Sequence, residues 1–175
     1  MNSRLNSLIS DMIEYDRGDP MRIHHFIKVY EYASFIASEE GLSEEEQLVT
    51  SAAAIVHDIG IHMAEKKYGS SAGPYQEKEG PSEAEPLLKK NGFTDEQRQR
   101  IEYLIAHHHT YTNMDGSDYQ ILVEADFLVN IFEDDMKDFS KMHSVAENVE
   151  KKIFKTATGI KLLKAMYGKE YRKED

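Results

Sequence analysis

The sequence predicts an all-α fold, and three observations support this prediction. Apolar residues recur at helical spacing in several segments, capping patterns precede two of them, and no segment offers an evident pair of strands. The chain has 175 residues, which is enough for one domain with a sizeable core. Because no internal repeat or linker divides the chain, we predict a single domain over residues 1–175.

The predicted helices in the first two thirds of the chain have clear start and stop signals. One begins after Asp19-Pro20, an N-cap residue followed by proline at the first helical position, and runs to Gly41, a natural C-cap. Residues 43–46 read SEEE, a capping box that opens the next helix. Residues 94–97 read TDEQ, a second capping box, and the helix that follows leads into three consecutive histidines.

The remaining segments are one apolar helix, one irregular stretch and a charged C-terminal part. Residues 119–132 are long and apolar enough for a central helix; the alternative is a buried strand, for which no partner is evident. Residues 66–83 contain three glycines and two prolines, so we expect a glycine-rich loop, either functional or merely at the surface. Residues 138–170 are expected to form one or two amphipathic helices, whose role the sequence does not indicate.

Composition excludes several kinds of site. The chain has no cysteine, so disulfides, zinc fingers, iron–sulfur ligation and thiol nucleophiles are excluded. The N-terminus has no apolar core of signal-peptide length, and no segment approaches the about 18 apolar residues of a membrane span. We therefore expect a cytoplasmic protein that does not interact with membranes.

The charge of the chain bears on its partners. With 21 Lys and Arg against 32 Asp and Glu, the formal net charge is −11, which repels the phosphate backbone of long nucleic acids. A small phosphorylated molecule remains a reasonable partner, because a bound cation can reverse the sign of the local field.

The first candidate functional residues are His57 and Asp58, in the stretch AAAIVHDIGIH at residues 52–62. They follow five small or apolar residues at the end of a helix that we expect to be buried in the core. Burying an unpaired ionised carboxylate costs several kcal/mol or more, so such a group is usually paired, hydrogen-bonded or bound to a metal.

Two further polar residues lie on apolar helix faces. His25 shares a face with Val29 and Ile36, and Asp126 lies four residues after Leu122. A single inward histidine is more often a hydrogen-bonded core residue, and a single aspartate is often a helix cap. The combination instead indicates a metal site, because two imidazoles and two carboxylates from three helices suit a divalent ion such as iron, manganese, zinc, cobalt or nickel.

The order of these residues along the chain resembles the HD-domain superfamily of metal-dependent phosphohydrolases. The similarity covers about residues 20–130 and includes the pattern HFIKV…AAAIVHDIG…LIAHHH…LVEADFLV. The signature of that all-α superfamily is a histidine, an adjacent His-Asp pair and a distant aspartate. The resemblance implies that the metal ligands are the four residues His25, His57, Asp58 and Asp126. It also selects His25 over His24, because only His25 has Val29 and Ala33 at the expected offsets.

The resemblance implies hydrolysis of a small phosphomonoester or nucleotide. A divalent ion with open coordination positions lowers the pKa of a bound water to about 7 and polarises a phosphoryl oxygen. Asp58 is then expected to take part in catalysis as well as in binding the ion. Two alternatives remain: a regulatory module that binds a nucleotide or metal without turnover, and a di-iron oxygenase.

Several residues near the signature are candidates for supporting roles. His62, four residues after Asp58, would lie beside the site on a continuing helix and could donate a proton to the leaving oxygen. Lys66 and Lys67 could bind the phosphate, although solvated surface lysines are an equally good interpretation. At least one of His107 and His108 is expected to point inward, whereas His109 is expected to be solvated or to interact with the helix C-terminus.

The expected number of metal ions depends on one position, where two-metal members of the superfamily have a histidine and this chain does not. Two-metal members of the superfamily add a histidine before a Gly-x-x-x-Ala helix and a later histidine pair. This chain has the pair at His107-His108, but Gln76 stands at the other position, and a neutral amide is a poor ligand for a transition metal. We therefore predict one tightly held ion, with His107 and His108 near the phosphate or at a weak second site.

Overall fold

A computed structural model describes residues 3–135 and 138–169, apart from the side chain of Asp135. Nine α-helices and no strands are found in these residues, which confirms the predicted all-α class. The helices are α1 (Ser3–Tyr15), α2 (Pro20–Glu39), α3 (Glu44–Val56), α4 (Ile61–Tyr68), α5 (Gly73–Lys90), α6 (Asp95–Ile105), α7 (Gly116–Asp135), α8 (Phe139–Lys152) and α9 (Ala157–Tyr167).

The predicted helix ends are observed for the elements that carry the site. Asp19 caps α2 by accepting a hydrogen bond from the backbone N–H of Arg22, and Gly41 follows that helix in the left-handed conformation. Both predicted capping boxes are present, at the start of α3 and at the start of α6. Residues 119–132 lie within α7, so the helical interpretation of that segment is correct and the strand alternative is wrong.

Helices α2, α3 and α7 form the centre of the bundle. Helix α2 packs against both α3 and α7, and α3 also contacts α7, so the three surround one interior. Helix α3 is buried along its length from Leu48 to Val56, where three consecutive alanines let its neighbours approach closely. The apolar residues of these helices belong to one continuous core. This packing places the C-terminal end of α3 beside the second turn of α2 and the middle of α7.

The expected glycine-rich loop is much shorter than predicted. Helix α5 already begins at Gly73, so the irregular segment between α4 and α5 is confined to residues 69–72. The prediction of a loop over residues 66–83 is wrong because glycine and proline were treated as helix breakers. Pro74 lies in the first turn of α5, where its missing N–H is tolerated, and Gly80 lies inside the helix, where its backbone packs against Gly60.

The C-terminal part of the described chain forms two helices attached to α7. The carboxylate of Glu124, fully buried on α7, accepts hydrogen bonds from the backbone N–H groups of Lys155 and Thr156 at 2.6 and 3.0 Å. Gln120 donates to the same carboxylate at 2.7 Å. These bonds connect the turn before α9 to α7, so α8 and α9 complete the packing around that helix.

The single-domain prediction stays a prediction. Its range of 1–175 and the expected C-terminal helices at 138–170 include positions 1–2, 136–137 and 170–175, which lie outside the described residues. Among the helices that the structure does describe, none has the length and hydropathy needed to cross a membrane.

Candidate metal centre

His57 and Asp58 lie in a tight turn at the C-terminal end of α3. The backbone N–H of Ile59 donates to Val56 and that of Ile61 donates to Asp58, both at 3.0 Å, and α4 then begins. Gly60 is required at this turn because a Cβ atom there would lie 2.5 Å from the carbonyl oxygen of Gln76. The turn is thereby pressed against α5, with His57 and Asp58 directed toward the core.

Four side chains from three elements converge at this turn. The Nε2 atoms of His25 and His57 are 3.1 Å apart, and Oδ1 of Asp126 lies 3.2 Å from the first and 3.5 Å from the second. Oδ2 of Asp58 lies 3.5 Å from both nitrogens. We call His25, His57, Asp58 and Asp126 the primary cluster. The structure therefore brings together all four residues that the sequence suggested as metal ligands.

Each histidine of the primary cluster uses its other ring nitrogen for orientation. Nδ1 of His57 donates to the carbonyl oxygen of Ala54 at 2.9 Å, whereas Nδ1 of His25 donates to Oε2 of Glu133 at 2.7 Å. The second oxygen of Glu133 is paired with Lys28. Both imidazoles consequently present Nε2 to the centre of the cluster, which is the arrangement of metal-ligating histidines with fixed tautomers.

The charges within the primary cluster are strongly coupled. Burial opposes protonation of His25, but its hydrogen bond to Asp126 and the negative charge of Asp58 raise its pKa to about 9. The pKa of His57 is also raised against the effect of burial, chiefly by Asp58. Burial acts to raise the pKa of Asp126, but hydrogen bonds from the two histidines hold it well below its usual range. Buried negative charge is thus balanced by protons, which a cation could replace.

The primary cluster fits a metal ion in both geometry and chemistry. Ligands about 2.1 Å from an ion lie about 3.0 Å apart at right angles and about 3.4 Å apart at tetrahedral angles. Five of the six separations among the ligand atoms are 3.1–3.5 Å, and His25, His57 and Asp58 form a group whose ligand atoms all lie close enough together to hold one ion. Imidazole nitrogen and carboxylate oxygen together suit the borderline divalent metals. The His/Asp cluster therefore fits a metal site.

A second group shares Asp58 with the first. Ligand atoms of Asp58, His108 and His109 lie close enough together to hold an ion, and we call these three residues the secondary cluster. His108 is almost fully buried, its Nδ1 donates to the carbonyl oxygen of Ile105 at 2.7 Å, and its Nε2 lies 3.5 Å from Oδ1 of Asp58. This Nε2 is buried without a hydrogen-bond partner in the described structure. An unsatisfied buried nitrogen aimed at a carboxylate is a feature expected of a ligand position.

Gln76 borders the secondary cluster. Its Oε1 accepts a hydrogen bond from Nε2 of His109 at 3.1 Å, and its Nε2 donates to the carbonyl oxygen of Ser71 at 2.6 Å. Burial and the neighbouring His108 lower the pKa of His109 to about 4, so the ring is neutral. The expectation of a solvated or cationic His109 is wrong, because the start of α5 covers this histidine: a Cβ on Gly73 would lie 2.8 Å from the ring.

The histidine pair after α6 is divided between two directions. His108 faces Asp58, as expected for one member of the pair. His107 instead donates from Nδ1 to the carbonyl oxygen of Tyr103 at 2.7 Å, and its ring lies against that of Tyr103. The turn after α6 therefore presents His108 and His109 to the site, rather than His107 and His108.

His62 and the two lysines lie in other interactions. The expectation that His62 continues the His57-Asp58 helix is wrong, because α3 ends at Val56 and a new helix begins at Ile61. Nε2 of His62 donates to Asp16 at 2.9 Å, and Nδ1 accepts from Arg22 at 2.9 Å. Lys66 is exposed, and the amino group of Lys67 pairs with Glu79.

Sequence reasoning missed three residues at the site. Glu133 lies seven residues after Asp126, a spacing of two helical turns that could have indicated a shared face. Asn130, between them, donates to Oδ1 of Asp126 at 2.9 Å. Tyr111 lies against Phe127 and is partly exposed, and the burial of its hydroxyl together with the charges of Asp126 and Glu77 raises its pKa to about 12. No pattern in the sequence indicated that Tyr111 lies there.

Comparison with known families identifies the family to which the chain belongs. Residues 22–157 match the family model of the HD domain, and because this is most of the chain, the protein belongs to the HD domain family. The match extends beyond the similarity recognised over residues 20–130 and includes α8. No curated protein and no solved structure matches the sequence. Proteins of the HD family are generally metal-dependent phosphohydrolases, so the family suggests metal-dependent hydrolase activity for this chain.

Proposed function

We propose that this HD-domain protein hydrolyses a small phosphorylated molecule, a phosphomonoester or nucleotide, with a divalent ion held by His25, His57, Asp58 and Asp126. The observation that carries the proposal is the convergence of ligand atoms from α2, the turn after α3 and α7: His25 and His57 each lie 3.1–3.5 Å from the other three ligand atoms. When bound, an iron, manganese, zinc, cobalt or nickel ion would act as a Lewis acid and make hydroxide available near neutral pH.

Asp58 has the position of a residue that acts in both binding and catalysis. Its Oδ2 faces the two histidines of the primary cluster, while its Oδ1 faces His108. Its neighbouring histidines keep the pKa of Asp58 low despite burial, so the carboxylate is ionised at neutral pH. A side chain that is one quarter exposed and ionised can accept a hydrogen bond from the attacking water and orient it toward phosphorus.

Two cations of α2 are candidates for binding the phosphate. Arg22 and Lys28 lie three residues before and after His25, so both neighbour it on the helix surface. Arg22 is paired with Glu65 at 2.8 Å, and Lys28 with Glu133. We propose that these two cations, rather than Lys66 and Lys67, offset the remaining charge of a bound phosphate. His108 is proposed to contact the phosphate or a weakly held second ion.

The proposal is tested by combining metal analysis with a substrate screen. Protein purified without added metal is analysed for bound elements, then loaded with that metal and incubated with phosphomonoesters and nucleotides. We expect phosphate release that chelation abolishes and that is absent in His57→Ala. The matched control is His24→Ala, because His24 is an exposed histidine next to His25.

Three outcomes would overturn the proposal in different ways. Phosphate release that survives exhaustive chelation would rule out the metal-dependent mechanism. Tight metal or nucleotide binding without release of phosphate from any substrate would identify a regulatory binding module. Oxygen consumption by the iron-loaded protein would identify an oxygenase.

A further inference from the structure

The three buried imidazoles of the two clusters are not supported in the same way. Nδ1 of His57 and Nδ1 of His108 each donate to a backbone carbonyl three residues earlier, in Ala54 and Ile105. His25 has no such bond in the described structure; its Nδ1 donates to the carboxylate of Glu133 at 2.7 Å. One histidine of three therefore depends on a side chain from another helix.

The difference follows from position along the helices. The last four carbonyl groups of an α-helix have no N–H partner within that helix. Ala54 belongs to the last four residues of α3, and Ile105 ends α6, so both offer a carbonyl to a nearby imidazole. His25 lies inside α2, where the carbonyls of the preceding turn are already used by the helix. An imidazole at that position needs an acceptor from outside its own helix.

Helix α7 supplies the acceptor on the same face as a proposed ligand. Asp126, Asn130 and Glu133 are spaced by four and three residues, so they form one stripe along α7 that faces α2. Asp126 contacts Nε2 of His25, and Glu133 contacts Nδ1 of the same ring. A single helix therefore holds both nitrogens of His25.

Glu133 is itself fixed in place. Its Oε2 accepts from His25 and its Oε1 pairs with Lys28, one turn further along α2. With only 16% of its side chain exposed, this carboxylate is largely shielded from water, so its interaction with the ring is weakly screened. A carboxylate that accepts from Nδ1 fixes the tautomer, orients the ring and makes Nε2 a stronger electron donor to a metal.

We propose that Glu133 is a positioning residue that sets the orientation and donor strength of His25 at the metal site, with Lys28 fixing Glu133. This inference rests on the proposed metal-binding function, because it assumes that Nε2 of His25 is a ligand. Glu133 touches neither the ion nor the substrate in this arrangement. Its effect is on metal affinity.

The test measures zinc affinity by competition with a chelator. We expect Glu133→Gln to weaken zinc binding about 10- to 100-fold, the usual cost of losing such a supporting carboxylate. The matched control is Glu31→Gln, which makes the same chemical change at an exposed position of α2 and should leave the affinity within about twofold of the parent. Circular dichroism of each variant shows whether the helical fold is retained.

A second measurement separates positioning from a general loss of charge or stability. In protein labelled with ¹⁵N-histidine and loaded with zinc, each hydrogen-bonded Nδ1–H gives its own signal. Glu133→Gln should shift and broaden the His25 signal, while the signal of His57, bonded to Ala54, stays in place.

The outcomes distinguish this inference from the function on which it rests. Parent protein that fails to bind zinc would overturn the proposed metal site itself. Parent protein that binds zinc, with unchanged affinity and an unchanged His25 signal in Glu133→Gln, would overturn the positioning role alone. Equal weakening in Glu133→Gln and Glu31→Gln would also overturn it, because the effect would then be one of net charge.

Discussion

The primary and secondary clusters share Asp58 but differ in how their polar atoms are satisfied. In the primary cluster, each ligand atom lies within 3.5 Å of at least two others, and both histidines have fixed tautomers. In the secondary cluster, Nε2 of His108 has no hydrogen-bond partner among the described residues, and His109 is hydrogen-bonded to the neutral amide of Gln76. Two sites that share one carboxylate can thus differ in their affinity for a cation.

The physical cause of the difference is the number of anionic groups. The primary cluster combines two carboxylates with two imidazoles, and its ligands come from α2, α7 and the turn after α3, which are packed around one core. The secondary cluster has only the shared carboxylate of Asp58 and two imidazoles from one short turn. We therefore expect one tightly held ion in the primary cluster and weak binding at the secondary cluster.

Asp58→Ala should have the largest effect, because it removes a ligand from both clusters. A four-ligand zinc site contributes about 10 to 16 kcal/mol, so losing one ligand should weaken binding by at least about 100-fold. The measurement is metal content after gel filtration without added metal, with His24→Ala as the control. Full metal retention by folded Asp58→Ala would show that the two clusters do not depend on their common residue.

The second largest effect should be a difference between the clusters in how metal affinity depends on pH. With its pKa raised to about 9, His25 in the metal-free protein carries a proton at pH 7 that an ion must displace. Affinity at the primary cluster should therefore rise about tenfold per pH unit between pH 7 and 9 for this proton alone. His109, with its pKa lowered to about 4, adds no such dependence above pH 5. Calorimetry in buffers of different ionisation enthalpy measures the proton release.

The stability of the metal-free protein should fall as the pH rises, whereas its affinity for the metal should rise. A histidine whose pKa is raised from 6.5 to about 9 on folding stabilises the fold below pH 6.5, and this contribution is lost as the pH rises through 9. The increase in Tm caused by metal should therefore be larger at pH 9 than at pH 7. An increase in Tm that does not depend on pH would contradict the exchange of a proton for the ion.

Gln76→His should make the secondary cluster more like the primary one. The new imidazole would replace the amide next to His109 and add a third nitrogen ligand beside Asp58. We expect retained metal to rise from one to two equivalents per chain after gel filtration. Gln99→His adds a histidine at an exposed position of α6 and should retain one equivalent. Two equivalents already present in the parent protein would show that the amide does not limit the second site.

His62→Ala should have the smallest effect on metal binding and activity. Its hydrogen bonds are with Asp16 and Arg22 and its ring lies against Tyr15, outside both clusters. We therefore expect the metal content to be unchanged and the free energy of unfolding to fall by about 1 kcal/mol from the lost hydrogen bond to a buried acceptor. Metal analysis and thermal unfolding measure these two effects. A loss of 100-fold or more in phosphate release, with metal retained, would restore His62 as a general acid.

Much of the site was determined by the sequence itself. The residues of the primary cluster were candidates because they lie on apolar helix faces or at the end of one, where burying an isolated charge is costly. Their combination, and their order along the chain, which resembles the HD-domain superfamily, selected them as one ligand set. The capping boxes and the apolar helix at residues 119–132 were also readable, since capping and helical periodicity depend on residues close together in the chain.

Only the tertiary structure decided how the turns between helices direct their side chains. Whether His107 or His109 joins His108, whether His62 continues a helix past Asp58, and which acceptor holds His25 all depend on packing between distant segments. The same holds for α5, which begins early because Pro74 fits its first turn and which packs closely on Gly60 because that residue has no Cβ. Local periodicity fixes the face of a helix, but at a helix end a rotation by one residue turns a side chain by about 100°. At those ends, contacts with other helices select the direction.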